Sequence, residues 1–230
     1  MPSHDHQLGL KKYVRDAVFG FNDGLVSTFA LVSGAAGAGL GNFLIAFIGL
    51  IAATSGALSM GFGTYISTKS QIEVYRGEIG QELKRIEEKP KAEEEEIKEI
   101  FKTFGFRGKE LDMVVQRITG NKAAWLSLLA HEELGVGASE FKSPFRAGVI
   151  IFLIFIIGAA IPIFPYLILQ TNQALAVSII AGTIGLFLIG AAKTKITKRS
   201  WIKSGLEMTL VGLVAALAVY YIGGIVGIYI

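Results

Sequence analysis

Along this chain the apolar positions come in long unbroken runs. Residues 24–68, 147–192 and 208–230 contain no Asp, Glu, Lys or Arg. About 20 apolar residues suffice to cross the hydrocarbon core of a bilayer as a helix. The first two runs are therefore long enough for two helices each and the third for one. Turn formers break the first run at Gly39-Leu40-Gly41-Asn42 and the second at Gln170-Thr171-Asn172-Gln173. The pattern predicts transmembrane helices over about 14–38, 43–67, 144–169, 174–192 and 204 to the C-terminus. The period-two alternation of barrel strands is missing, so the fold class is all-α: a polytopic membrane protein with five transmembrane helices.

Between the second and third spans the pattern changes to amphipathic. Ile72, Tyr75, Ile79, Leu83 and Ile86 keep helical spacing, so the second helix continues out of the membrane to about Glu88, where Pro90 ends it. Three shorter helices follow, over about 93–104, 109–118 and 122–134, punctuated by Gly105, Gly120 and Gly135. The chain thus divides into residues 1–68 (N-terminal segment and helices 1–2), 69–143 (a helical insert) and 144–230 (helices 3–5). An insert of this size is marginal as an independent core, so packing against its own stalk or a second copy is expected.

Charge fixes the orientation. All 22 Lys and Arg lie at or before the start of helix 1, between Lys69 and Arg146, or between helices 4 and 5. With the N-terminus and insert cytosolic and the C-terminus on the far side, every basic segment is cytosolic, as the positive-inside rule requires. The sequence pI of about 9.0 is then a topology signal and does not imply a nucleic-acid partner. Residues 1–7 are short and polar, and no signal peptide is read before helix 1. The segregation of charge excludes a soluble enzyme, and the absence of cysteine excludes a disulfide scaffold, thiolate chemistry and Cys-ligated metal sites. No nucleophile–base pair or histidine falls in the spans, which argues against an intramembrane enzyme. Lys, Glu and Ile usage without Cys is compatible with a thermophilic prokaryote and hence with a plasma-membrane location.

The informative acids are those that break the segregation. Asp23 sits about two turns inside helix 1, where an ionisable group costs a few kcal/mol and is a functional candidate. A hairpin about residue 41 brings Met60 of helix 2 to the same depth, in a small-residue stretch that permits close helix approach. Carboxylate oxygen opposite thioether sulfur makes a mixed hard and soft site, suited to Fe²⁺ or a similar first-row ion. Asp16 lies on the same face nearer the cytosol, either as an entrance ligand or as a partner of Arg15. Glu207 has a similar choice with Lys203. In the insert, Glu93 and Glu96 border the Ile97/Ile100/Phe104 stripe, Glu82 borders the stalk stripe with Glu78 one turn before it, and Glu132 falls within the Trp125/Leu128/Leu129 stripe with Glu133 at its edge. Facing carboxylates are relieved by a divalent cation, although a Glu run by itself reads more often as a solvated face. His131 fits either a ligand or a surface residue. His4-Asp5-His6 reads as a mobile terminus.

These motifs carry a family likeness. Arg15-Asp16, Asn22-Asp23-Gly24-Leu25 and Phe29-Ala30-Leu31-Val32-Ser33-Gly34 resemble the first helix of the vacuolar iron transporter family. Ala57-Leu58-Ser59-Met60-Gly61-Phe62-Gly63-Thr64-Tyr65 resembles its second. Ala124-Trp125-Leu126 and Glu133-Leu134-Gly135 resemble the end of its metal-binding insert, and Pro162 and Pro165-Tyr166 fit its third helix. The resemblance implies a homodimeric exporter of cytosolic Fe²⁺, often Mn²⁺ as well, working against protons, with no cofactor beyond the transported ions. It places the transport site on Asp23 and Met60 and the insert ligands on Glu82, Glu93, Glu96 and Glu133. The sequence departs from that pattern at Arg85, where the family has Glu, and at Leu129, where it has Met, leaving Glu78, His131 or Glu132 to complete the insert site. The alternatives are a membrane-anchored metal-binding or storage protein without transport, and a transporter of another divalent cation. Met60 disfavours Ca²⁺, which prefers all-oxygen shells.

Overall fold

The computed structural model describes the backbone of residues 3–134 and 142–229, and the side chains there apart from 3–12, 130, 132–134, 171–172 and 196–197. Among the described residues there are nine helices and no strand: α1 (Ser3–Gly37), α2 (Asn42–Glu88), α3 (Pro90–Thr103), α4 (Gly108–Thr119), α5 (Lys122–Leu134), α6 (Pro144–Ile168), α7 (Thr171–Ala192), α8 (Thr194–Thr197) and α9 (Trp201–Gly227). Helices α1, α2, α6, α7 and α9 are long and apolar enough to cross a membrane. The protein is an all-α, multi-pass membrane protein. It forms two compact units, Met1–Ile66 with Ser143–Ile230, and Ser67–Lys142.

The helix starts differ from the sequence expectation for local reasons. Pro90 stops α2 but is also pre-organised for a first helical position, so α3 begins at Pro90 rather than at 93. α7 begins at Thr171 and α9 at Trp201, about one turn earlier than expected: α7 takes in polar residues before its apolar run, and α9 takes in Lys203. α1 begins at Ser3, well before the apolar run starts.

In the membrane unit, Val32, Ile45, Ala46, Ala53, Ala57, Phe155, Ala159, Ile163, Tyr166 and Ala174 form one buried cluster, drawn from α1, α2, α6 and α7. Leu25, Phe29, Leu186 and Ala216 form a second, from α1, α7 and α9. The α1–α2 turn closes on Gly39 at φ 75°, with the Leu40 N–H donating to the Ala35 carbonyl at 3.2 Å, a Schellman end. Its partner turn is tied down by Asn42, whose side-chain amide donates to the Leu169 carbonyl. Two prolines, Pro162 and Pro165, lie inside α6. The Ser178 hydroxyl of α7 donates to the Pro162 carbonyl at 2.9 Å, pinning the two helices at that irregular stretch.

The insert has its own core. Ile86, Ile97, Leu111, Val115, Trp125 and Leu129 bury together, with one or two residues from each of α2, α3, α4 and α5. An ion pair from Lys122 to Glu87 at 2.5 Å links α5 to the end of α2.

Candidate functional site

Three helices build a cavity in the membrane unit. It has a volume of about 550 Å³. α1 contributes Phe19, Asp23, Ser27, Thr28 and Leu31, which recur at three- and four-residue steps along one helix face. α2 contributes Ala52, Gly56, Ser59 and Met60, again on helical spacing, and α6 contributes Phe155. Asp23 and Met60 therefore line one cavity. Asp23 is partly buried. Met60 is partly buried too, packed against the larger apolar cluster.

Close approach of α6 is what shapes the wall beside Asp23. A Cβ on Gly24 would stand 2.9 Å from the Phe155 carbonyl carbon and closer still to its oxygen. Only glycine lets the two backbones meet there. The Phe155 ring is thereby held in the cavity wall, while its backbone rests against the residue next to the acid.

The hydroxyls of the cavity were not singled out from sequence. Ser27 lies four residues after Asp23, and its hydroxyl donates to the Asp23 backbone carbonyl at 2.5 Å. Thr28 is buried and Ser59 precedes Met60. The signal was available: the i+4 step from an intramembrane acid puts Ser27 on the acid's face. Asp16, seven residues before Asp23, is partly buried and is not among the residues lining the cavity. Glu207 is exposed on α9.

The insert acids separate into two kinds. Glu82 and Glu93 are buried, 2% and 7% exposed, each one turn before a core residue (Ile86 and Ile97). The Arg85 guanidinium donates to Glu82 at 3.0 Å, so the arginine that departs from the family pattern carries a positive charge to a buried carboxylate. Among the described residues, one carboxylate oxygen of Glu93 is buried with no hydrogen bond. Glu78 and Glu96 are partly buried and His131 is exposed. Leu129 is fully buried in the insert core. The side chains of Glu132 and Glu133 lie outside the described residues. Among the described residues, no three His, Asp or Glu groups converge on a common point where they would hold an ion. The outward face of α3 is a lysine-paired surface: Lys98 meets Glu95 at 3.1 Å and Lys102 meets Glu99 at 2.6 Å. The Glu95 hydrogen bond, and then its charge, hold Lys98 above the usual lysine range.

Comparison with known proteins adds the relationship. The model of the VIT family matches residues 14–224. The chain is 30% identical over 214 residues to vacuolar iron transporter 1 of Arabidopsis thaliana, covering 93% of this chain and 86% of the relative. It is 32% identical over 208 residues to vacuolar iron transporter 1 of Oryza sativa subsp. japonica, covering 90% and 82%. It is 31% identical over 223 residues to the vacuolar iron transporter of Plasmodium berghei, covering 93% and 82%.

Proposed function

This chain belongs to the VIT family, and on that premise we propose that it transports Fe²⁺ across the membrane through the α1–α2–α6 cavity, with Asp23 and Met60 as ligands. The supporting observation is that an intramembrane carboxylate and a thioether, far apart in sequence, line one cavity. The oxygen is hard and the sulfur soft, a pair suited to a first-row ion such as Fe²⁺, with Mn²⁺ as a second substrate.

The coupling follows from the carboxylate. Asp23 holds either a metal ion or a proton, and each displaces the other. A proton arriving from the far side releases the ion there, and return of the group to the cytosolic side exchanges it again. The protein thus works as a proton antiporter that exports cytosolic metal. The N-terminus and insert lie in the cytosol, where the basic residues are concentrated. Asp16 hands the ion on towards Asp23. The insert acids Glu78, Glu82, Glu93, Glu96, Glu132 and Glu133, with His131, raise the metal concentration at the cytosolic face. Two copies form a homodimer through α1 and α2, which supplies a second Asp23–Met60 pair. The relatives are named for the vacuole; that compartment is theirs.

The test is metal uptake into proteoliposomes driven by a pH gradient, comparing wild type with Asp23→Ala and Met60→Ala. Both variants are expected to insert and fold, and Asp23→Ala to lose uptake. Unchanged uptake by Asp23→Ala would remove the assignment. A metal-storage anchor without transport has no use for an acid lining a cavity in its spans.

A further inference from the structure

A hydroxyl lines the cavity beside the acid and the thioether. Ser27 lies on the Asp23 face of α1, one turn further along, and lines the same cavity as Asp23 and Met60. A serine hydroxyl has one proton to donate and two lone pairs that accept. The Ser27 proton is committed to the Asp23 backbone carbonyl. That backbone bond is the usual way a hydroxyl is satisfied inside a membrane helix. It leaves only acceptor capacity for the cavity, and an acceptor-only oxygen suits a cation.

We propose that Ser27 is a direct ligand of the transported metal and sets its selectivity, supplying a neutral hard oxygen that balances the soft sulfur of Met60 across Asp23. This rests on the cavity being the transport site. The consequence is a crossed pattern. Mn²⁺ depends more on oxygen donors, and Fe²⁺ gains more from the thioether. Loss of Ser27 therefore weakens Mn²⁺ more than Fe²⁺, and loss of Met60 weakens Fe²⁺ more than Mn²⁺. A hydroxyl that served only to cap the helix carbonyl would affect both metals alike.

Proteoliposome uptake of Mn²⁺ and of Fe²⁺, each over a range of concentrations, tests this in Ser27→Ala, Ser27→Thr, Ser27→Cys and Met60→Ala, with Asp23→Ala alongside. Ser27→Ala is expected to raise the KM for Mn²⁺ about tenfold, the scale of one lost polar contact to a charge, with a smaller rise for Fe²⁺. Ser27→Thr keeps the hydroxyl and its backbone bond, and restores Mn²⁺ uptake. Ser27→Cys shifts preference towards Cd²⁺, a soft ion for which a sulfur donor is the better match. Thermal melting of the purified variants in detergent reads folding separately. If Asp23→Ala abolishes uptake while Ser27→Ala leaves both KM values unchanged, or raises them equally, Ser27 is not a ligand and the transport site stands. If Asp23→Ala transports normally, the site itself is wrong and Ser27 falls with it. If Ser27→Ala fails to fold, the KM ratio in Ser27→Cys decides: a ratio equal to wild type overturns the assignment.

Discussion

At the scale of single residues, charge that breaks the pattern is the most informative feature. Asp23 was legible because a lone acid stands out in a charge-free span, and Met60 because hairpin geometry places it at the same depth. Ser27 was less conspicuous: its i+4 step from Asp23 marks the face it shares, but not the backbone bond that occupies its proton. Arg85 was legible only as a misfit to the family pattern. Its reach to Glu82, one turn away, gives it a role that spacing alone left undefined. Glu82 is 2% exposed, so removing a positive partner leaves a desolvated carboxylate less compensated. Arg85→Ala is expected to destabilise the insert by about 1–3 kcal/mol, and adding Glu82→Gln to recover part of that loss. Chemical denaturation of the single and double variants measures both. A double variant no more stable than Arg85→Ala would show that the pair does not couple.

At the scale of elements, the long helices were readable from apolar run length, while their first turns were not. Pro90 illustrates why: the same ring that ends one helix is suited to open the next, and the sequence does not say which role dominates. The insert core shows the opposite case. Ile97, Trp125 and Leu129 were visible as stripe residues and pack in one cluster. Leu129 is fully buried, so Leu129→Ala is expected to cost about 2–5 kcal/mol, a transfer term plus a cavity. Proteolytic susceptibility of the insert, compared with wild type, reports that loss. The α1–α6 crossing makes a different prediction. Gly24→Ala forces a methyl group against the Phe155 carbonyl. Overpacking of this kind costs about 1–3 kcal/mol. Its displacement of α6 would also reshape the wall beside Asp23, so uptake is expected to fall along with the melting temperature. A melting temperature equal to wild type would contradict the close approach.

At the scale of the whole molecule, the five long apolar helices and the all-helical architecture could be read from the charge-free runs and the turn formers that divide them. The reason is physical: a bilayer demands long apolar helices and leaves few alternatives. Chemistry in the insert was less legible, because whether a carboxylate faces a metal, an arginine or water depends on side-chain placement across several helices. The proposed coupling to protons joins these scales, since it would require the cavity, its acid and a sealed membrane together. The most direct measurement is Fe²⁺ uptake into proteoliposomes with and without an imposed pH gradient, for wild type and Asp23→Ala. Gradient-stimulated uptake in wild type, absent in folded Asp23→Ala, is the predicted result. Equal uptake by the two proteins, or wild-type uptake indifferent to the gradient, would contradict an antiporter centred on Asp23.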